Sequence, residues 1–477
     1  MNTKQTAVPK ASPDPLSELR EYLRPFAGVF RRDSTRQSVE RYVTGLLTDL
    51  ARKNCDTIAA AMAGTSSERL QYLLTDADWA AQDLDRRRVE VLARARPPGG
   101  LLILDDTGQA KKGAKSAGVA RQYSGTLGRI GNCQVIVSAE YAADDAEQGR
   151  PWHWPVTARL YLPEAWTTDR ERCRAAHIPD EVAFQTKPQL ALSLVDRAVA
   201  WGVAVGVVIA DAGYGDNPHF LAGLEERQLA YVCGVESTFG LRLPDEVRAA
   251  EEAHSPAYQG KGRPRQPRPA PLHTARALSD ALAQDAWQTV SWREGTKGTL
   301  RKQFAALRAH RATGNPTAQH PSPSCMTTGP QGWLLAERPV PGEAGESKWY
   351  YANLPQDTPL SRLVALAHAR WMIEQFYEDA KGECGLDHYQ GRRWDGLHRH
   401  LALVMLTYSF LALRRDPAPQ PEEGRFPPRR RQADLPGGAP PGLVPPLGGL
   451  GALVRGHRPH PHPPTTRGAS APPLILP

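Results

Sequence analysis

The chain contains little cysteine, no long apolar run and no complete nucleotide-binding motif. Its 477 residues include six cysteines, which lie far apart and form no CxxC pair. This spacing argues against a zinc site or a disulfide framework and is typical of reduced thiols. No segment approaches the roughly 18 apolar residues of a membrane span, and the first residues lack the apolar core of a signal peptide. We therefore expect a soluble, cytoplasmic protein with no membrane partner.

Two other shortages restrict the function classes. Gly213-Tyr-Gly215 lacks the remainder of a GxGxxG motif, so a dinucleotide-binding fold is not expected. The net charge of +8 is also unevenly placed, because the segment from Arg414 to the end contains nine Arg against four acids. The surplus of five leaves only three positive charges for the rest of the chain. Global charge is therefore weak support for a polyanionic partner.

Breaks in composition divide the sequence into six segments. They are a disordered start at 1–14, a helical module at 15–97, the first part of an α/β domain at 98–237, a β-rich insertion at 238–356, a returning helical part of the α/β domain at 357–415, and a disordered Pro/Arg-rich tail at 416–477. The tail holds 17 of the 43 prolines and has no sustained apolar periodicity, so it cannot bury enough surface to fold alone. It is either an interaction tail or the product of a shifted reading frame, which resequencing would decide.

The helical module offers one candidate for DNA binding. Two short helical patterns flank the turn Gly64-Thr65-Ser66, with Ser66 or Ser67 as the predicted N-cap. The arrangement is compatible with a helix-turn-helix. An ordinary helical bundle would produce the same pattern, so both interpretations stay open.

The following segment alternates between strand and helix patterns. LLILDD, CQVIVSAEY and ARLYL predict three strands, KPQLALSLVDRAVAWG predicts an amphipathic helix, and VAVGVVIAD predicts a buried strand ending on Asp211. A helix and another strand follow, which indicates an α/β domain with a mixed sheet and flanking helices. In the insertion, AWQTVSW, TLRKQFAALRAH, GWLLAER and KWYYANL predict four strands, and a long helix is then expected from Thr358 through Lys381.

Two aspartates stand where such a fold would present them to a ligand. Asp105 is predicted to end the first strand and Asp211 to end a later one. Ligands bind beyond the carboxyl ends of strands in open α/β sheets. Either residue alone is also explained as a turn residue that stops a strand. Asp106 is the rival for the first position, but it should point to the other side of the strand.

Helical phase selects a third acid from the charged segment after His368. At 100° per residue, Arg370, Glu374, Tyr377 and Lys381 share one face, Glu378 lies at its margin, and Asp379 and Glu383 point away. In many proteins such a face is simply solvated and paired within the helix.

These residues resemble a known family. Arg370-x3-Glu374-x6-Lys381 is similar to the R-x3-E-x6-K part of the Y-x2-R-x3-E-x6-K signature of bacterial insertion-sequence transposases with a DDE site, although Ala367 stands at the Tyr position. DDTGQAKKGAKSAGVARQYSGTLGRIGNCQV and ADAGYGDN resemble the segments at the first and second catalytic Asp, and the resemblance covers about residues 15–415. It implies a ribonuclease H-like catalytic domain, with a β-rich insertion before the Glu-bearing helix.

The resemblance implies that Asp105, Asp211 and Glu374 form the catalytic triad and bind metal. Three converging carboxylates need a cation, and hard oxygen ligands favour Mg²⁺ or Mn²⁺. A pair of such ions can assist both hydrolysis and strand transfer. The expected partners are double-stranded DNA, as terminal inverted repeats and as target, and a second copy of the chain on paired ends. The expected location is the bacterial cytoplasm, at the nucleoid.

Several basic and aromatic residues are candidates for DNA contact. Arg370 and Lys381 share the Glu374 face, and Lys111, Lys112, Lys115 and Arg121 follow Asp105 in a Gly-rich loop. The alternatives are ion pairs with Glu374 and Glu378, and an ordinary exposed hairpin. In the insertion, Trp287, Trp292, Trp333 and Trp349 either stack on an unpaired base or belong to the strand core.

Three functions remain in competition after this reasoning. The leading one is a metal-dependent transposase that cuts and joins DNA. The alternatives are a nuclease that does not join DNA and a non-catalytic, disrupted derivative that only binds element ends.

Overall fold

The computed structural model describes residues 16–94, 99–143, 152–253, 269–295, 298–313 and 327–415. The segments predicted to be disordered, 1–14 and 416–477, lie outside these residues. So does most of the basic, Pro-rich loop at the start of the predicted insertion. No helix in the described ranges combines the length and the apolar character that a membrane crossing requires.

Between residues 16 and 94, the elements of the structure are helices. They are α1 (Ser17–Leu23), a 3-10 helix (Arg24–Val29), α2 (Asp33–Leu46), α3 (Cys55–Ala61), α4 (Ser67–Thr75) and α5 (Ala81–Ala93). Between α3 and α4, Gly64 adopts φ 72°, and the Ser66 side chain caps α4 by accepting a hydrogen bond from the Arg69 backbone N–H. The predicted cap is therefore confirmed at Ser66.

The strands and the remaining helices follow in a mixed order. They are β1 (Gly100–Ala110), β2 (Ala120–Ser124), β3 (Arg129–Ala142), β4 (His153–Leu160), α6 (Glu164–Thr167), α7 (Arg170–Ala175), α8 (Lys187–Ala200), β5 (Val205–Ala210), α9 (Ala212–Gly215), α10 (Pro218–Glu226), β6 (Ala230–Val235), β7 (Gly240–Arg242), α11 (Pro244–Glu252), β8 (His273–Thr274), α12 (Ala275–Asp280), β9 (Gln288–Gly295), β10 (Gly298–Thr313), β11 (Thr327–Arg338), β12 (Lys348–Ala352), α13 (Leu360–Ala367), α14 (Trp371–Gly382) and α15 (Trp394–Arg415). Short 3-10 helices cover Gly125–Leu127 and Gln284–Ala286.

The strands of the described residues join in one mixed sheet. Its central part has the order β4-β3-β1-β5-β6, in which β1, β5 and β6 are parallel and β3 and β4 are antiparallel to their neighbours. The four strands predicted for the insertion are present as β9 to β12. They extend the same sheet, because β12 pairs with β6 through Trp349 and Val235. The mixed α/β architecture is therefore confirmed.

The sheet carries one apolar core on each face. Leu101 and Ile103 of β1 pack in a cluster with α14, α15 and the helices of the first 94 residues. Leu102 and Leu104 point the other way, into a cluster with α8 and α10. This alternation follows from the two-residue period of a strand. It also decides on which side the polar residues after Leu104 lie.

Two local predictions are wrong. The first strand does not end at Asp105, because Asp106 to Ala110 continue the antiparallel ladder with β3 from Val137 to Cys133. The parallel pairing of β1 with β5 ends earlier, at Ile103. The long helix expected through Lys381 is two helices, α13 and α14. They are interrupted around His368, whose ring stacks on Trp292 of β9 with centroids 3.9 Å apart.

Candidate active site

Helix α14 lies against β1 and turns a polar stripe towards it. An Arg370 Nη1–H donates to Asp105 Oδ2 at 2.5 Å, and Lys381 Nζ donates to Thr107 Oγ1 at 2.7 Å. Tyr377, between them on the helix, is buried. These contacts agree with the common face that helical phase predicts for Arg370, Glu374, Tyr377 and Lys381.

Arg370 forms ion pairs with two of the three predicted carboxylates and is influenced by the charge of the third. Its guanidinium forms ion pairs with Asp105 on β1 and, one helical turn on, with Glu374. Burial acts to lower the pKa of Arg370, but the negative charges of Asp105, Glu374 and Asp211 outweigh it, and the pKa is raised. The fold therefore brings all three carboxylates within electrostatic reach of one cation.

Asp105 is almost fully buried, with 8% of its surface exposed. Burial raises its pKa to about 7, Arg370 opposes the rise, and the neighbouring charge of Asp211 adds to it. An additional positive charge at this position would stabilise the ionised carboxylate. The site thus contains more buried negative charge than Arg370 alone compensates.

Asp211 directly follows β5 and is the N-cap residue of α9. Its Oδ1 atom is buried and has no hydrogen-bond partner, and burial raises the pKa of the carboxyl group. The next turn is pressed against β6, because a Cβ at Gly215 would lie 2.0 Å from the Gly234 carbonyl oxygen. Gly215 is therefore needed for close packing, which is a structural reason for the GYG sequence.

Asp106 occupies the opposite face, as alternation predicts. Its Oδ2 accepts a hydrogen bond from Lys187 Nζ of α8 at 3.0 Å, and the Tyr214 hydroxyl lies 3.5 Å away. It therefore already has a cation of its own. Asp105, not Asp106, lies on the face of β1 that meets Arg370.

The donors fit a hard divalent cation in kind, although they are not gathered around one point. Within the described ranges, no three acidic, histidine or cysteine side chains lie close enough to hold one ion. Arg370 stands between Asp105 and Glu374, where it supplies the positive charge. The unpaired buried Oδ1 of Asp211 is the oxygen in this set that still lacks a partner.

The basic residues predicted to contact DNA have different environments. Lys111 is half-buried and donates from Nζ to the Tyr389 carbonyl oxygen at 2.6 Å, and burial lowers its pKa. Lys112, Lys115 and Arg121 are exposed. Arg370 and Lys381 are tied to β1 as described above. In the loop after Asp105, the basic side chains exposed to solvent are therefore those that follow Lys111 in the sequence.

The four tryptophans of the predicted insertion are half-buried and contact protein groups. Trp292 stacks on His368, while Arg guanidinium groups cover Trp287, Trp333 and Trp349 at 3.9, 5.1 and 5.5 Å from the ring centroids. These contacts favour the strand-core interpretation for the conformation described.

Sequence reasoning missed a second acid on the Asp105 face. Glu140 of β3 is fully buried and pairs with His153 of β4, with Oε1 and Nδ1 2.6 Å apart. It lies opposite Ile103 in the β1–β3 ladder, so it shares the face of Asp105. The available signal was a single acid inside the otherwise uncharged strand CQVIVSAEY. The Lys187–Asp106 pair carried no comparable signal, because it joins elements 81 residues apart.

This arrangement of acids on a mixed α/β sheet is accompanied by a sequence relationship. Residues 25–299 match the model of the DDE superfamily endonucleases, which is more than half of the chain, and the protein belongs to this family. The matched range includes Asp105 and Asp211 but ends before Glu374.

A more particular likeness is to the probable transposase for insertion sequence element IS701 from Microchaete diplosiphon. The two sequences are 28% identical over 221 residues, which is 46% of this chain and 53% of that protein. The chain thus spans about half the length of this curated relative.

Proposed function

We propose that the protein is the transposase of an insertion sequence. It binds the ends of its element and uses Asp105, Asp211 and Glu374 for metal-dependent DNA cleavage and strand transfer. Membership of the DDE superfamily endonucleases and the likeness to a probable transposase support this assignment.

The observation that carries the proposal is that Arg370 forms ion pairs with Asp105 and Glu374 and that the charge of Asp211 also raises its pKa. The three carboxylates come from three elements, β1, the end of β5 and α14, that are far apart in sequence. The strand order β4-β3-β1-β5-β6 supports a ribonuclease H-like catalytic core, in which Asp105 and Asp211 belong to adjacent parallel strands.

Asp105, Asp211 and Glu374 would hold divalent cations, Mg²⁺ or Mn²⁺, and two ions fit the two-step chemistry. Bound cations would activate the attacking oxygen and stabilise the leaving one. In hydrolysis, water attacks the phosphorus and the bond to the 3′ oxygen breaks, leaving a 3′-hydroxyl. In strand transfer, that hydroxyl attacks a target phosphodiester, and one bond replaces another.

The residues of the chain itself have two further roles. Arg370, when released from Asp105, is placed to bind a phosphate oxygen beside the scissile bond by a bidentate fork. Lys381 contributes a point charge on the same face. On the side towards α15, Phe376 of α14 packs against Tyr408 in the buried core.

DNA recognition is assigned to several regions of the chain. The helices of residues 15–97 bind the terminal inverted repeats, with α3 and α4 as a helix-turn-helix, and Lys112 and Arg121 follow the backbone. Lys111 supports this loop through Tyr389. Two copies of the chain act together on paired ends, in the cytoplasm at the nucleoid.

The experiment is cleavage and joining of DNA that carries the inverted repeats flanking the gene, with Mg²⁺ or Mn²⁺. Wild type is compared with Asp105→Ala, Asp211→Ala and Glu374→Ala, and with Glu378→Ala as a control on the same helix. The three triad variants should bind DNA without cutting it, whereas the control should cut. Equal cutting by wild type and the triad variants would refute the assignment. If wild type cuts the DNA but never joins precut ends to a target, the protein is a nuclease without strand transfer.

A non-catalytic end-binding protein is the second candidate. Arg370 occupies the space between Asp105 and Glu374, and a protein that keeps it there cannot gather the carboxylates around metal. Binding of the repeats by wild type without cleavage in either metal would favour this function.

A further inference from the structure

The hairpin formed by β2 and β3 exposes two large apolar side chains beside each other. Tyr123 is 61% exposed and Ile130 is 59% exposed, which makes them the most exposed large hydrophobic residues of the described chain. They stand directly opposite each other in the antiparallel ladder. Directly opposed residues lie on the same face of a hairpin. They therefore form a continuous apolar ridge, not two isolated exposures.

The ridge belongs to one face of the hairpin, which we call the outer face. It consists of Arg121 and Tyr123 on β2 and of Ile130 and Asn132 on β3. The alternate residues of β2 point inward: Ser124 is buried, and Gln122 Nε2 donates to the Cys133 carbonyl oxygen at 3.0 Å. The inner contacts hold the hairpin in position, so the outer face is a formed surface.

The segment of the chain that carries the ridge has only positive charge. The sequence between Asp106 and Glu140 has no acid, and its basic residues are Lys111, Lys112, Lys115, Arg121 and Arg129. Of these, all but Lys111 are exposed, and they form no ion pair with the described part of the chain. An apolar ridge on a segment with only basic charges suits nucleic acid, because bases stack on aromatic rings while cations bind the phosphates. A second copy of the same face would be repelled.

The turn of the hairpin lies next to the candidate active site. At the hairpin turn, the Thr126 hydroxyl oxygen is 3.2 Å from Thr107 Oγ1 and accepts a hydrogen bond from the Gly108 backbone N–H at 3.2 Å. Thr107 is two residues after Asp105 and also receives the hydrogen bond from Lys381. The turn of the hairpin is therefore held against the strand that carries Asp105.

We propose that the outer face binds unpaired DNA beside the cleavage point, with Tyr123 and Ile130 packing on an unstacked base while Arg121 and Arg129 bind phosphates. The inference rests on the proposed function, since it names the form of DNA that this site receives. Stacking on an aromatic ring is tolerant of sequence, so the face selects unpaired structure and not a base sequence.

The test is fluorescence anisotropy with the full chain and two labelled 30-base-pair duplexes, one fully paired and one with a central four-base mismatch. Wild type should prefer the mismatched duplex. Tyr123→Ala should weaken binding of that duplex roughly tenfold, as expected for loss of one stacked base, and change binding of the paired duplex less than about twofold. Tyr123→Trp should restore the preference. Val199→Ser, at another exposed apolar residue on α8, is the control and should behave as wild type.

Three results would overturn the inference. They are equal binding of the two duplexes by wild type, unchanged binding by Tyr123→Ala, and equal weakening of both duplexes by that variant. A change in oligomeric state by Tyr123→Ala or Ile130→Ser, without a change in DNA binding, would instead identify an interface between copies. Asp105→Ala should keep the full preference for the mismatched duplex, so a failure of the catalytic proposal is separable from a failure of this one.

Discussion

Asp105 and Asp106 are neighbours in one strand, yet the two faces of the sheet give them different surroundings. Asp105 meets Arg370, which it shares with Glu374, and it lies near Asp211. Asp106 has Lys187 to itself. The comparison teaches that the number of carboxylates per cation, not burial alone, distinguishes a candidate metal site from a structural ion pair.

The contrast extends to the cores behind these residues. Helix α15, on the Asp105 side, packs buried polar groups such as His400 and Ser409 against α2 and α5. On the Asp106 side, α8 and α10 contribute mainly leucine, valine, alanine and phenylalanine. We therefore expect the Asp105 side to be more sensitive to mutation and to pH.

The largest difference between the faces should appear in DNA cleavage. Asp105→Asn removes a proposed metal ligand and should reduce cleavage on the order of 10²–10³-fold or more, as for loss of a principal electrostatic group. Asp106→Asn should remain within about tenfold of wild type, because Lys187 then loses only its structural partner. The rates are measured on DNA with the inverted repeats, in Mn²⁺. Equal losses would show that the two faces do not differ in function.

The free energy of unfolding should depend more on a buried arginine on the Asp105 side of the sheet than on a partly exposed arginine on the Asp106 side. Arg88 is fully buried and donates to Val156 O at 2.8 Å, Asp85 Oδ1 at 3.1 Å and Ser409 Oγ at 3.3 Å, which joins α5, β4 and α15. Arg88→Met should lower the free energy of unfolding by about 3–5 kcal/mol, because Asp85 is left buried and unpaired.

The matched variant is Arg227→Met, whose pair with Asp196 joins α10 to α8 and is partly exposed. It should cost at most about 1 kcal/mol. Urea unfolding followed by tryptophan fluorescence measures both values. A cost for Arg88→Met no larger than that for Arg227→Met would contradict the proposed difference between the two sides.

The pH dependence of stability has a predictable sign at His400. Its Nδ1 accepts from the Tyr42 hydroxyl at 2.9 Å and its Nε2–H donates to Gly385 O at 3.1 Å, and burial lowers its pKa from 6.5 to about 4. Between pH 6.5 and pH 4, His400 is therefore protonated in the unfolded chain but neutral in the folded one. The stability contributed by neutral His400 is present above pH 6.5 and is lost as the pH falls towards 4, by roughly 3 kcal/mol in total.

The variant His400→Gln preserves both kinds of hydrogen bond and does not titrate. Its unfolding free energy should fall less than that of wild type between pH 7 and pH 4.5. The raised pKa of Asp105 acts in the opposite direction, since the folded state then holds its proton more tightly. That effect is common to both proteins and cancels in the comparison. Parallel pH profiles would exclude His400 as the source.

The smallest effect is expected for two lysines that bind opposite faces of β1. Lys381→Met should reduce the slope of log affinity against log salt by about 0.9 for a 30-base-pair duplex, as for one lost phosphate contact. Lys187→Met, on the Asp106 side, should leave the slope unchanged. Affinities between 50 and 200 mM salt provide the measurement. If the two variants have equal slopes of log affinity against log salt, Lys381 does not contact DNA phosphates.

The success of sequence reasoning here depended on the distance between the interacting residues. Helical phase alone predicted that Arg370 and Glu374 are adjacent, because both lie within one turn. It could not predict the bond from Arg370 to Asp105, which spans 265 residues. Strand patterns located β9 to β12, but their union with the central sheet depends on non-local pairing that no local pattern encodes.

The two wrong boundaries have the same origin. Acids at 105 and 106 suggested the end of a strand, yet β3 provides hydrogen bonds for five more residues of β1 after Asp105, Asp106 to Ala110. The apolar periodicity around His368 suggested one helix, yet Trp292 and Glu337 from distant strands contact that residue at the interruption. Tertiary contacts overrode local propensity in both cases.

The pairing of β12 with β6 has a mechanical consequence. Strand β6 packs against the turn that follows Asp211, and its hydrogen bonds continue through β12 into β11 and β10. A load applied to the outer strands is therefore carried through the paired strands β10, β11, β12 and β6 to the support of Asp211.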